Sequence, residues 1–336
     1  LANPILVEVT RGELVESVHR GAIAIADASG ALRFSLGDVE SPIYPRSSLK
    51  PIQALPLVES GAADAFGLGQ EELALACASH SGEPMHTERV AAWLAKIGCR
   101  ESDLACGPHA VRYEPVAEAM IRAGEKPTRL HNNCSGKHTG FLTVARHWNI
   151  ATAGYERHDH PVQQAVAKTL GELCGITEPL PWGIDGCTAP NFALPLAAFA
   201  RALAKLADPS SLAESRAKAI QRLVGAMTAH PELVAGTGRS DTILMRAAKG
   251  RAATKAGAEA YYAAIIPESG LGIALKIDDG AGRGAETAIA AILEILGLPG
   301  HDTAALELAQ APILNSADGI VGERRPAAVL RGLRLS

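Results

Sequence analysis

Segments with strand character lie at the two ends of this 336-residue chain, and segments with helical character lie between them. Near the start, Ile5–Thr10, Glu13–His19, Gly21–Ala26 and Ala31–Leu36 read as extended, with Asp27-Ala28-Ser29-Gly30 as a turn. Near the other end, Ala260–Ile266 and Ile273–Ile277 flank a Pro- and Gly-containing turn, and a helix is expected over about Arg283–Leu296. In the middle, Val90, Leu94 and Ile97 share one face of a predicted helix over Thr87–Ile97. Further helices are expected over Pro115–Ala123, His138–His147, from Pro161 onward, over Leu194–Ala207 and over Leu212–Met227. A strand is stable only inside a sheet, so two sets this far apart predict one sheet built from both chain ends. The expected fold class is α/β (α+β), one domain over 1–336. Its sheet lobe would take about 1–60 and 235–336, and a largely helical middle lobe would take 61–234.

Composition removes several classes of function. The net charge is −4 and no run of Lys or Arg occurs, so a basic stripe for nucleic acid is missing. No apolar stretch reaches membrane-spanning length. The segment Leu1-Ala2-Asn3-Pro4 has no charged start followed by an apolar core, so no signal peptide is expected. Six cysteines, at 77, 99, 106, 134, 174 and 187, are too sparse for a disulfide scaffold. A cytoplasmic setting is expected, with thiols available for metal. Gly67, Gly69 and Gly280–Gly284 fail the dinucleotide spacing, and Gly136-Lys137 lacks the upstream glycine of a phosphate loop. No Gly-x-Ser-x-Gly segment is present.

The first chemical candidate is Arg46-Ser47-Ser48-Leu49-Lys50-Pro51, ahead of the apolar run Ile52–Val58. Residues three apart share a helix face, so the Ser47 hydroxyl and the Lys50 amine are placed to meet. A desolvated lysine can be neutral and take the proton of a serine nucleophile. A chain this long holds about one Ser-x-x-Lys by chance. A second copy, Ser215-Arg216-Ala217-Lys218, sits in an amphipathic segment and reads as a solvated face. Pro56 is expected to kink the helix.

The second candidate pairs two loops. His131-Asn132-Asn133-Cys134-Ser135-Gly136-Lys137-His138 opens a helix, and Trp182–Pro190 contains Asp185 and Cys187. Two thiolates and one or two nitrogens suit tetrahedral zinc. Neutralising a lysine at pH 7 costs about 4–5 kcal/mol, from a reference pKa of ~10.4, so bare chemistry favours His138 over Lys137 as third ligand.

Taken together these segments resemble the asparaginases of the Rhizobium etli thermolabile type. The resemblance rests on Pro45–Pro51, Cys77–Glu83, Asn133–His138, Gly183–Cys187, Gly238–Thr242 and Lys276–Gly280, and runs from about residue 4 to 297. It implies a fold like that of serine β-lactamases, penicillin-binding proteins and serine-dependent glutaminases. It also implies two Ser–Lys pairs, Ser47 with Lys50 and Ser79 with Lys255. Lys255-Ala256-Gly257 stands where β-lactamases carry Lys-Thr-Gly, and the missing hydroxyl speaks against β-lactam chemistry. The implied zinc ligands are Cys134, Cys187 and Lys137, which reverses the choice of His138. Direct coordination consumes the lysine lone pair and so accounts for a neutral lysine.

The implied activity is hydrolysis of L-asparagine, with Ser47 attacking, Lys50 as base, and Ser79 and Lys255 relaying protons. Arg46, His138 and Asp185 are the expected substrate contacts, and a homodimer is implied. The nearest rival is a glutaminase or broader amidase of the same fold, because one methylene changes pocket fit by only about 1–3 kcal/mol. A rival of another class is a catalytically silent, zinc-stapled amino-acid-binding protein. The four intact Ser and Lys residues count against it.

Overall fold

A computed structural model of the chain describes residues 2–335. It divides into two compact units. The sheet unit takes the chain up to Ser48, Leu194–Asp208, and the chain from Ile243 onward. The helical unit takes Leu49–Ala193 and Pro209–Thr242.

Eight antiparallel strands form the main sheet. In chain order they are β1 (Ile5–Arg11), β2 (Leu14–Asp27), β3 (Leu32–Leu36), β4 (Ala253–Gly257), β5 (Tyr261–Ile266), β6 (Leu271–Ile277), β7 (Ala311–Leu314) and β8 (Ile320–Pro326). Their spatial order is β7-β8-β1-β2-β6-β5-β4, with β3 also paired to β2. Both chain ends therefore build the sheet, as expected. The two extended segments expected on either side of Arg20 are one 14-residue strand, β2. Its first half pairs with β1, and its second half with β6 and β3.

Alternation along the strands sorts the two faces. Ile23, Ile25, Tyr262, Ala264, Ile273 and Leu275 belong to one apolar cluster with Ala288, Ile289 and Ile292 of the helix Gly282–Ile295. The intervening Ala22, Ala24 and Ala26 are also buried, and small side chains there let a helix come close. The helix Leu196–Ala207 packs on β2, β5 and β6, with Phe199 edge-on to Tyr261 at 5.8 Å. This packing corrects the expected lobe boundaries, which had put that helix in the helical lobe. The change of unit at Leu49 corrects the boundary expected at residue 60.

The helical unit contains helices at Gln70–Ala76, Pro84–Lys96, Glu114–Ala123, Ser135–His147, Pro161–Cys174 and Glu214–Ala229. The helix expected across Pro56 is two short pieces, Lys50–Gln53 and Leu55–Glu59, with the proline in the first turn of the second. That is where a missing N–H costs nothing. Among the described residues, no helix is long and apolar enough to cross a membrane.

Candidate active site

In the helical unit, Lys50 is 1% exposed and opens the helix Lys50–Gln53. Its Nζ donates to the Ser79 hydroxyl at 2.9 Å, to the Asn133 carbonyl at 3.4 Å, and to the Ala78 carbonyl. Lys50 thus reaches Ser79, the serine that the resemblance matched with Lys255. Ser79 follows the helix Gln70–Ala76, and its own N–H is tied to the Val234 carbonyl at 2.8 Å. His80 fixes the next step of the chain. It accepts from Gly82 N–H at Nδ1, so Nε2 carries the proton and donates to the Ser135 hydroxyl at 2.9 Å. His86 stacks on it with centroids 4.8 Å apart, accepts from Glu83 N–H and donates to the Glu232 carbonyl. Both imidazoles are neutral supports: burial above all pushes their pKa values down, that of His80 well below the usual range.

In the sheet unit, Ser47 lies in a short 3-10 turn, Arg46–Leu49. Arg46 has φ 53°, a left-handed conformation that strains a residue with a side chain. The turn docks on β4: Ser48 Oγ donates to the Lys255 carbonyl at 2.8 Å. A Cβ added at Gly257 would lie 2.5 Å from the Pro45 carbonyl, so this close approach is what the glycine of Lys-Ala-Gly permits. The segment carrying Ser47 thus lies against the strand carrying Lys255. Lys255 is 1% exposed, and its Nζ donates to the Ala256 carbonyl at 2.7 Å. Among the described residues the Ser47 hydroxyl makes no hydrogen bond.

The second constellation assembles within the helical unit. Cys134 precedes the helix Ser135–His147, and Lys137 lies in its first turn. Cys187 sits in the connection between the paired strands Trp182–Ile184 and Pro190–Phe192. Thr188 beside it has φ 79°, so a strained non-glycine residue adjoins this candidate ligand as Arg46 adjoins Ser47. Lys137 Nζ donates to Cys187 Sγ at 3.1 Å. A Cβ at Gly136 would lie 2.3 Å from the Leu75 carbonyl, so glycine lets this helix start sit directly on the one before Ser79.

The charges there are unusual. The hydrogen bond from Cys134 holds Cys187 well below the usual thiol range; burial opposes this and Lys137 reinforces it. The same bond, with burial, pushes Cys134 up to about 12. Burial works against the Lys137 ammonium, but Cys187, Cys134 and Asp185 outweigh it and raise its pKa. A cation in a helix's first turn also opposes the helix dipole. A metal that takes both thiolates and the lysine lone pair removes that conflict, so the donor set fits zinc. No group of three or more His, Cys, Asp and Glu side chains that could hold a metal occurs among the described residues.

His138 is fully buried, and its pKa is lowered to about 3, first by burial and then by Lys137. Tyr155 Oη lies 2.6 Å from its Nδ1 and accepts from Ala105 N–H, while Nε2 has no hydrogen-bond partner. Tyr155 and Cys106 were not singled out from the sequence. Cys106 is buried, and burial followed by Cys134 and Cys187 pushes its thiol to about 12. The decoy Lys218 pairs with Glu214 on an exposed helix face, as expected. All six cysteines are buried, and none forms a disulfide among the described residues.

Among solved structures, one described as Mglu in its tris and glutamate form is 15% identical, with a TM-score of 0.48. The match covers 89% of this chain and 64% of the length of that one. A β-lactamase from Mycobacterium bovis is 15% identical over 79% of this chain and 89% of that one, TM-score 0.41. Simvastatin synthase from Aspergillus terreus is 11% identical over 86% and 94%, TM-score 0.37. Among curated proteins none matches the chain. The family model for L-asparaginase II matches residues 7–326, nearly the whole length, and the chain belongs to that family.

Proposed function

We propose that the chain hydrolyses the side-chain amide of L-asparagine to L-aspartate and ammonia. The observation that carries this reading is the buried amine–hydroxyl contact between Lys50 and Ser79, in a chain of the L-asparaginase II family. The Ala78 and Asn133 carbonyls hold Lys50 Nζ within reach of the Ser79 hydroxyl, where the reaction needs it as a base. Ser47, three residues earlier, attacks the amide carbon, and its proton passes to Lys50. Ser79 carries that proton onward to the leaving nitrogen, which departs as ammonia. Lys255 assists the water that then releases aspartate. Arg46, His138 and Asp185 contact the substrate.

Zinc is proposed as the cofactor, held by Cys134, Lys137 and Cys187, and when bound it supplies a fixed positive charge for positioning an anionic substrate. Cys134 and Lys137 both hold protons in the metal-free chain, so metal uptake must release them. The resemblance extends the proposal to a homodimer, and the sparse cysteines extend it to a cytoplasmic setting.

Ammonia release from L-asparagine and L-glutamine, with penicillin opening as control, tests the reading. Asparagine is expected to be the fastest substrate and penicillin to stay intact. No ammonia from asparagine by zinc-loaded protein would refute it.

A further inference from the structure

The start of the helix Ser135–His147 is fastened to the segment that carries Ser79. The Asn133 carbonyl just before it accepts from Lys50 Nζ at 3.4 Å and from His80 N–H at 3.2 Å, and the Ser135 hydroxyl takes the bond from the His80 ring. His138 lies in this first turn, its N–H donating to the Cys134 carbonyl at 2.9 Å. Two aromatic rings meet its imidazole edge-on, Phe141 with centroids 6.0 Å apart and Tyr155 at 5.5 Å. Tyr155 is itself buried, and its carbonyl accepts from Gln163 Nε2 at 3.0 Å.

Counting donors and acceptors places the proton shared by His138 and Tyr155. Tyr155 Oη accepts from Ala105 N–H at 2.9 Å and lies 2.6 Å from His138 Nδ1, and among the described residues nothing else bonds to it. With the proton on Nδ1, the phenol hydrogen would lack an acceptor and Nε2 would lack a donor, leaving two buried groups unpaired. With Oη donating to Nδ1, the phenol is satisfied and only the Nε2–H is unpaired. Unpaired buried polar groups are rare because each is costly, so the second arrangement is the one the fold supports. It leaves a fully buried N–H without an acceptor, in the same turn as Lys137.

We propose that Tyr155 is a positioning residue: by donating to Nδ1 it keeps His138 in the Nε2–H form, and that N–H donates to an acceptor oxygen of the bound substrate. This rests on the amide-hydrolase reading above, in which His138 contacts the substrate, and adds the residue that fixes the direction of the contact. In the other tautomer the ring would present a lone pair to the same oxygen and repel it.

The test uses the full-length, zinc-loaded protein with isotope-labelled histidine, as wild type, Tyr155→Phe, His138→Gln and the double variant. NMR of the imidazole nitrogens reads the tautomer without turnover, and the signals lost in His138→Gln assign the ring. Wild-type His138 is expected to carry its proton on Nε2 alone, and saturating L-aspartate should shift that N–H signal. In Tyr155→Phe a substantial Nδ1–H population should appear. Its kcat/KM for L-asparagine should fall about tenfold to hundredfold, mostly through KM. A glutamine at 138 offers an amide N–H with no tautomer to set, so adding Tyr155→Phe to it should cost at most about twofold. A wild-type ring protonated on Nδ1, an Nε2–H signal unmoved by L-aspartate, a tautomer unchanged in Tyr155→Phe, or equal losses from Tyr155→Phe in both backgrounds overturns the proposal. The wild-type spectra carry the test if Tyr155→Phe does not fold. If the spectra are as expected but wild type releases no ammonia from asparagine, the positioning role stands and the amide-hydrolase reading fails.

Discussion

The core of the sheet unit is almost all hydrocarbon, with Leu6, Ile23, Ile25, Ile273, Leu275 and Ile289 at zero exposure. Its buried polar groups are few: Ser48, Thr254 and Lys255 on or beside β4, and Thr10, His19 and Thr287 elsewhere. The helical unit has apolar residues too, including Trp93 and Leu142, but it also buries Lys50, Lys137, His80, His86, His138 and Glu83. Apolar burial needs only complementary shape. A buried amine, imidazole or carboxylate needs a specific partner, because leaving it unpaired costs several kcal/mol, about 1–3 even for a neutral group. The helical unit therefore fixes its reactive groups through one another: Asn133 holds both His80 and Lys50, and Ser135 holds His80.

The largest effect that tests this contrast is catalytic. Ser79→Ala should lower turnover by about 10³-fold or more while the fold persists, because it removes the side-chain hydroxyl bonded to Lys50. Ammonia release and far-UV circular dichroism measured together check it; a variant with near wild-type turnover would remove Ser79 from the reaction.

Next comes acid sensitivity. His80, His86 and His138 have depressed pKa values in the folded chain, against 6.5 when unfolded. Below 6.5 the unfolded chain gains protons that the folded chain does not. Stability is therefore full above that pH and falls as pH drops, down to about 3 for His138. Three such groups give a slope approaching about 4 kcal/mol per pH unit, at ~1.36 kcal/mol each. Urea unfolding at pH 7.0 and 5.5 measures it. Equal stabilities would mean the imidazoles accept protons in place.

The smallest effect separates the units most sharply. Gly136→Ala and Gly257→Ala each force a Cβ against a backbone carbonyl, and each should cost about 1–3 kcal/mol. Only the first shifts Lys137, so only it should weaken zinc binding in a chelator competition. Equal weakening by both would show that the metal site depends on the sheet unit as well.

The same contrast decides what the sequence makes legible. Alternating Ile23 and Ile25 announce a strand because burial of hydrocarbon is periodic. Ile320–Pro326 carries Gly, Glu and two Arg, lies mostly half-buried, and shows no such period, so β8 was not anticipated. Ser47, Lys50, Cys134 and Cys187 stand out as residue types in dense motifs. The bond between Lys50 and Ser79 spans 29 positions, and nothing local specifies it. Tyr155 escaped notice for a related reason: its role lies in the hydroxyl it offers His138, and a lone tyrosine has no spacing to read.

The pairing of β1 with β8 places the first strand beside one of the last, with Val7 opposite Pro326. During synthesis β2 can join β1 early, but the other edge of β1 stays open until β8 emerges. At about 5–20 residues per second that interval is roughly 15–60 s. For all that time an apolar strand edge is exposed to other nascent chains, whereas the helical unit is complete once Thr242 has emerged, well before β8. The order of translation thus makes the sheet the last part of the molecule to close and the part most in need of protection while it waits.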